Sequence, residues 1–352
     1  MIKYIRFASA LFYARIFRKR IPLLVTLCLT NRCNLRCTYC YEEYYDRNHQ
    51  EPSTKQLLDL IDTLFRMGTR YISLNGGEAL LRKDIEQIVD KIKSKGILCH
   101  LSTNGLLVYS KIDILRKMDS IAISLDGGRE SNDKNRGSGV YDQVIQAFET
   151  LSRAGIHFHT HTVLTKNNLQ AIEEVLSLAV KFGFKAQFSP LRQEDSPDKT
   201  MALDDADLRS VVQRILDAQK QGLGVFFSRE AYLRVLNWPF PYATYSVSQK
   251  HKDLIGYGRC YLKDLSCHIE ANGFVYPCIV LVNKSKPLNV WEDGFEAVWD
   301  SLGKISCEAC WNVCCNQMNL VFSLRPLVFY NIISIISTRL RGQKRLPDAS
   351  KL

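Results

Sequence analysis

Alternating apolar and polar positions divide most of the chain into short apolar runs and longer amphipathic stretches. The first run, "LLVTLCL" (23–29), is followed by "YISLN" (71–75), "LCHLS" (98–102), "SIAISL" (120–125), "HFHTHTVL" (157–164) and "KAQFSP" (185–190). Runs of this length, rich in Leu, Ile and Val and bounded by polar clusters, predict strands. The stretches between them have helical period: "STKQLLDLIDTLFRMG" opens at Ser53 as N-cap and closes at Gly68, and "VYDQVIQAFETLSRAG" closes at Gly155. Six strand-then-helix units with short connections predict an α/β fold whose parallel sheet curves into a partial barrel. In such a barrel the chemistry sits where strands end and loops begin. No repeat of 20–50 residues and no low-complexity segment breaks the pattern.

Composition narrows the picture. With 352 residues and 46% hydrophobic content, the chain buries one large core and a smaller second unit. A formal charge of +11 points to acidic partners, but the chain has no nucleic-acid recognition motif and its basic residues are spread along it, so no nucleic acid is expected. Twelve Cys without a convincing secretory signal indicate a reducing, cytoplasmic setting. Cys28 and Cys99 lie in predicted strands and read as ordinary buried thiols. Cys33, Cys37 and Cys40, just after the first run, are different. A structural zinc site wants four ligands, usually from two short Cys pairs, whereas three thiolates on a four-iron cube leave one iron open for reaction.

The spacing of these cysteines, with aromatic Tyr39 just before the last, resembles the signature of the radical S-adenosylmethionine (SAM) superfamily. Further matches follow. "LNGGEALL" sets Gly76, Gly77 and Glu78 where that family's Gly-Gly-Glu segment meets the SAM amino group, with Ala79 in place of the usual Pro. "LSTNG", with Thr103 and Asn104, and "ISLDG", with Ser124 and Asp126, resemble the family's third and fourth strand ends. The resemblance implies that Ser124 and Asp126 approach the ribose or methionyl part of SAM and that Arg136 approaches its carboxylate. It covers about residues 22–225 and implies a partial (β/α)6 TIM-type barrel, a 4Fe–4S cluster on Cys33, Cys37 and Cys40, and SAM as cofactor. Bound SAM is then cleaved to a 5′-deoxyadenosyl radical, which takes hydrogen from an unactivated C–H bond.

A small Cys-rich C-terminal extension carries Cys260, Cys267, Cys278, Cys307, Cys310, Cys314 and Cys315, with Gly273 five positions before Cys278. It resembles the SPASM or twitch extension that holds auxiliary 4Fe–4S clusters, although the spacing after Cys310 departs from that pattern. Seven thiols cannot fully ligate two four-iron clusters. One reading closes a cluster with Cys260, Cys267, Cys278 and Cys314 or Cys315, leaving Cys307, Cys310 and the remaining neighbour for a second, incomplete one. The other is a zinc site with spare thiols. The expected organisation is a basic, apolar segment at 1–21, the core at 22–225, a linker at 226–258, the cluster domain at 259–320, and an amphipathic helix with a basic tail at 321–352.

Other features leave alternatives open. His157, His159 and His161 share a strand face and either bind a metal or line the barrel. Glu42, Glu43 and Asp133 are carboxylates near the signature but read as solvated. The segment after Pro326 is too short to span a bilayer. It either lies in the interface of an anionic membrane, on the inner face, or packs on the barrel. The basic, apolar ends favour a lipid-linked, sugar or other small-metabolite substrate. The alternatives are modification of a peptide or protein, of the ribosomal-peptide or maturase type, and a non-enzymatic electron-transfer protein. Only about 21 residues precede the first strand, which counts against the peptide. The chemistry implies a low-potential electron donor of flavodoxin or ferredoxin type.

Overall fold

The computed structural model describes residues 1–40, 51–192, 198–254, 257–282, 284 and 287–324. Its helices are α1 (Ile2–Ile16), α2 (Thr54–Arg66), α3 (Ile85–Ser94), α4 (Ile112–Arg116), α5 (Arg129–Arg136), α6 (Val140–Arg153), α7 (Ala171–Phe182), α8 (Asp205–Lys220), α9 (Arg229–Leu236), α10 (Leu262–Leu265), α11 (Val290–Asp293), α12 (Phe295–Leu302) and α13 (Val313–Phe322). Its strands are β1 (Leu24–Cys28), β2 (Tyr71–Asn75), β3 (Leu98–Thr103), β4 (Ser120–Ser124), β5 (His159–Leu164), β6 (Lys185–Pro190), β7 (Ser246–Val247), β8 (Ser266–Ile269), β9 (Phe274–Tyr276), β10 (Leu288–Asn289) and β11 (Ala309–Cys310).

The six expected strands all form and pair in parallel in chain order, β1 to β6. One or two helices cross over after each, as the alternating pattern requires. Alternate strand residues such as Val25, Leu27, Ile72, Leu74, Leu101 and Ile123 are fully buried in the apolar core. The opposite face carries Thr26, Ser73, His100, Ser102, Ser124, His161 and Gln187, giving the barrel a polar interior. The ring is not closed. Beyond β6 a single bridge joins Ala186 to Val225.

The C-terminal extension is less separate than its cysteine pattern suggests. β8 adds to the sheet beside β1, in parallel, and continues as the antiparallel strands β9 and β10. Nor do residues 226–254 behave as a linker. α9 packs on α8 and α13, and Tyr232 and Trp238 are buried in the same core as the barrel. α1 lies under the N-terminal ends of the strands: Phe7 meets the Tyr71 ring at 6.3 Å, the Lys3 ammonium reaches Asp119 at 2.8 Å, and Arg15 stacks on Tyr261. Among the described residues no helix is long and apolar enough to cross a membrane. The helix expected after Pro326 lies outside the described residues, as do Glu42 and Glu43.

Candidate active site

The loop leaving β1, residues 29–40, carries Cys33, Cys37 and Cys40, and two sides of the barrel mouth clasp it. On the β2 side, Leu29 N–H donates to Asn75 O (2.9 Å), Gly77 N–H to Thr30 O (2.8 Å) and Glu78 N–H to Arg32 O (2.8 Å). The approach is close enough that a β-carbon on Gly77 would sit 2.3 Å from Arg32 O, so only glycine fits. On the α5 side, Thr38 N–H donates to Asn135 O (2.9 Å).

Charge and hydrogen bonds converge on the thiols. Asn104 Nδ2 bonds Asn34 Oδ1 at 2.7 Å and lies 4.0 Å from Cys33 Sγ. Arg136 Nη1 lies 3.9 Å from Cys37 Sγ. Burial pushes both thiols up from their ordinary range, so each needs such donors, or iron, to carry negative charge. Arg136 is held in a buried knot: its Nε is 2.8 Å from Asp126 Oδ2, and the same oxygen accepts from the Tyr39 hydroxyl at 2.6 Å. Burial, followed by the Asp126 charge beside it, holds that hydroxyl protonated, whereas Arg136 alone acts against this.

Glu78 is also fully engaged. Its carboxylate accepts from Thr103 Oγ1 (3.0 and 2.9 Å), Asn104 N–H (2.8 Å) and Leu80 N–H (3.0 Å), and burial pushes its pKa up against those bonds. It therefore fixes the end of β3 and aims Asn104 at the cysteine loop. The Leu80 bond also caps a tight turn at Ala79–Leu81, which supplies rigidity where the usual Pro is absent. Ser124 lies at the end of β4 opposite His161. His161 shares a 3.0 Å bond with Ser189 and is held neutral, its pKa lowered to about 4 by burial and then by Arg136. The expected row of three histidines does not form. His157 precedes β5 and is exposed, and His159 stacks on Phe226 at 3.9 Å. Asp133 accepts from Gly139 and Tyr141 N–H at 2.8 Å each, so it caps a turn.

Sequence reasoning missed one cluster. Cys28, His268 and Glu270 bring three donor atoms within 4.8 Å of one another, the one such group among the described residues. His268 Nε2 stands 2.5 Å from Glu270 Oε1 and 3.7 Å from Cys28 Sγ. Cys28 is therefore not an isolated core thiol, and the i, i+2 pair in "CHIE" was the available signal.

Six of the seven C-terminal thiols gather. Burial pushes Cys260 up, as do Cys310, Cys307 and Cys278 beside it; Cys307 and Cys314 rise to about 12 and about 11 for similar reasons. The Cys315 thiol hydrogen-bonds to Cys278 and Cys310, all three being free thiols, and its donation lowers Cys278. A small cavity opens between Cys260, Cys310 and Cys315. Cys267 stands apart. On β8 it pairs in register with Val25, sits in the apolar core, and is raised by burial alone. The expectation that it joins a cluster with Cys260 and Cys278 meets this obstacle: strand alternation turns it away from the other six.

The model of the Radical SAM superfamily matches residues 27–179. Mycofactocin maturase MftC of Mycolicibacterium smegmatis is 35% identical over 176 residues, 49% of this chain and 45% of that protein. The Fe-coproporphyrin III synthase of Methanosarcina barkeri is 32% identical over 167 residues, 46% and 42% of the two chains. This chain spans less than half the length of those relatives in the matched region. In fold it is similar to Streptococcus suis SuiB, solved with its precursor peptide SuiA, at a TM-score of 0.63 and 20% identity over 84% of this chain and 69% of that one.

Proposed function

This chain carries the radical SAM domain of an enzyme superfamily, and from that premise we propose that it modifies a peptide, as a maturase. The observation carrying the radical chemistry is the clasp around residues 29–40, which sets donors on two of its three thiols, Cys33 and Cys37, and brings no fourth protein ligand to them among the described residues of the motif. That donor set fits a 4Fe–4S cluster with one open iron. With SAM bound, such a cluster supplies a 5′-deoxyadenosyl radical that removes hydrogen from an unactivated C–H bond.

The chain's own residues supply placement and shielding. Arg136 and Asn104 offset charge on Cys37 and Cys33 in the way that surrounding donors tune a metal site. Tyr39 and Asp126 hold Arg136, and Glu78 holds Asn104. Gly76 and Gly77 let the end of β2 press against the backbone of Thr30 and Arg32, which fixes the cysteine loop in place. Ser124 and His161 stand on the barrel's inner wall below it. The six gathered thiols are enough to close one auxiliary 4Fe–4S cluster, whereas closing two would need eight. Electrons would reach the core from a donor of flavodoxin or ferredoxin type.

The maturase relatives support a peptide substrate over the lipid-linked or sugar substrate expected from the chain ends. The Fe-coproporphyrin III synthase relative keeps a small-metabolite substrate as the second reading. Anaerobically reconstituted protein, given SAM and a strong reductant, should release 5′-deoxyadenosine. Co-expression with short peptides encoded beside its gene should change one peptide's mass. SAM cleavage with no change in any such peptide, together with turnover of an offered tetrapyrrole, would overturn the peptide reading.

A further inference from the structure

The net charge of this chain is confined to its two ends. Residues 1–20 hold six Lys and Arg and no acidic residue, and residues 325–352 hold six against Asp348 alone. These two segments account for the whole formal +11, so residues 21–324 are neutral overall. Basic residues are spread along the chain, but their excess is not.

One of those ends is described, and its helix α1 carries apolar side chains on both its inward and its outward face. The inward face of α1 buries Leu11 and Ala14 against the barrel and packs Phe7 there. The outward face leaves Ile2, Ile5, Phe12, Tyr13, Ile16 and Phe17 exposed, Ile2 at 66% and Ile16 at 68%. Seven of the ten large exposed apolar side chains among the described residues lie on this helix or at its ends. At helical spacing, positions 2, 5, 12, 13 and 16 form one stripe. Arg18 and Lys19 follow its C-terminal end and are exposed, whereas Arg20 turns back to the Trp299 carbonyl (2.9 Å) and Asp264.

We propose that the outward face of α1 seats on an anionic lipid surface. The apolar stripe enters the boundary between headgroups and acyl chains, and Arg18 and Lys19 meet acidic headgroups. Charge complementarity selects this occupant. The chain's own segment 325–352 carries the same sign of charge and would be repelled by the face it covered. α1 lies beneath the N-terminal ends of the strands, so a surface held there leaves the opposite mouth, with residues 29–40, open to substrate. This inference is independent of the peptide reading.

The test is co-sedimentation of the full chain with vesicles of phosphatidylcholine alone or with one third phosphatidylglycerol. The protein should pellet with the anionic vesicles and release as salt rises, because the attraction is screened. Arg18→Gln with Lys19→Gln should weaken binding about fivefold per residue while leaving the apolar face intact. Ile2→Asp, Ile5→Asp and Ile16→Asp together should abolish binding and leave the melting temperature unchanged. Wild-type protein that ignores anionic vesicles overturns the proposal, as does a triple variant that still pellets. A triple variant that melts earlier shows that the chain itself covers this face, with residues 325–352 the available segment, and overturns it equally.

Discussion

Cys33, Cys37 and Cys40 fall within eight consecutive residues, whereas the six gathered C-terminal thiols arrive from the segments before α10, after β9 and before β11, from β11 itself and from the start of α13. The first centre is held by polar groups. Asn104 and Arg136 point at its sulfurs, and Glu78, Asp126 and Tyr39 hold those two in turn. The second is mostly thiol against thiol: burial raises Cys260, Cys307 and Cys314, and hydrogen bonds to Cys278 and Cys310 raise Cys315. Short spacing thus needs an outer network to set its charge, while a dispersed set depends on the fold for its existence.

The sharpest way to break the comparison is to remove the first centre. Replacing Cys33, Cys37 and Cys40 with Ala should abolish release of 5′-deoxyadenosine and remove about four irons per chain, leaving about four at the second centre. Zinc in place of that residual iron would show the C-terminal thiols to be structural. Arg136→Met comes next. It strands Asp126 at 0% exposure without its partner, so stability should drop by about 3–5 kcal/mol in a denaturant titration. No comparable ion pair backs the second centre among the described residues, and equal losses from every C-terminal Cys→Ala variant would erase the contrast.

A smaller effect is read in pH. His161 has a folded pKa of about 4 against an ordinary 6.5, so the unfolded chain takes up the proton first. Its contribution is complete above about pH 6.5 and is lost as pH falls toward 4, on the order of 3 kcal/mol in all. His161→Gln should flatten the stability curve across that window and leave it unchanged above pH 7. The smallest effect belongs to Cys267→Ala. It should cost about 1 kcal/mol and leave iron content at the wild-type value, whereas Cys315→Ala should lose iron. Iron loss on removing Cys267 would return it to the cluster.

The barrel was legible because each of its strands announces itself locally. "YISLN" and "KAQFSP" form within their own bounds, and Ser53 caps α2 with Gln56 completing a reciprocal box. The core cysteines were legible for the same reason, being close in sequence. β8 was not, because "SCHI" is short and becomes a strand only by pairing with β1 far away in the chain. The same distance hid Cys28, His268 and Glu270 as a group, and it hid the isolation of Cys267, which depends on which way β8 faces. Residues 226–254 lack strand periodicity yet bury Tyr232 and Trp238, because their partners lie in α8 and α13.

The pairing of β8 with β1 also shapes how the molecule is made. On the ribosome, β1 emerges early and acquires β2 within some fifty residues, but its other edge waits for Ser266–Ile269. Until then a Leu- and Val-rich strand offers unpaired backbone beside the loop that carries Cys33, a template for wrong partners. Contacts of such long sequence separation form late and slowly. A chain cut before residue 266 therefore keeps every residue of the core motif yet exposes this edge, and it should aggregate where the full chain folds.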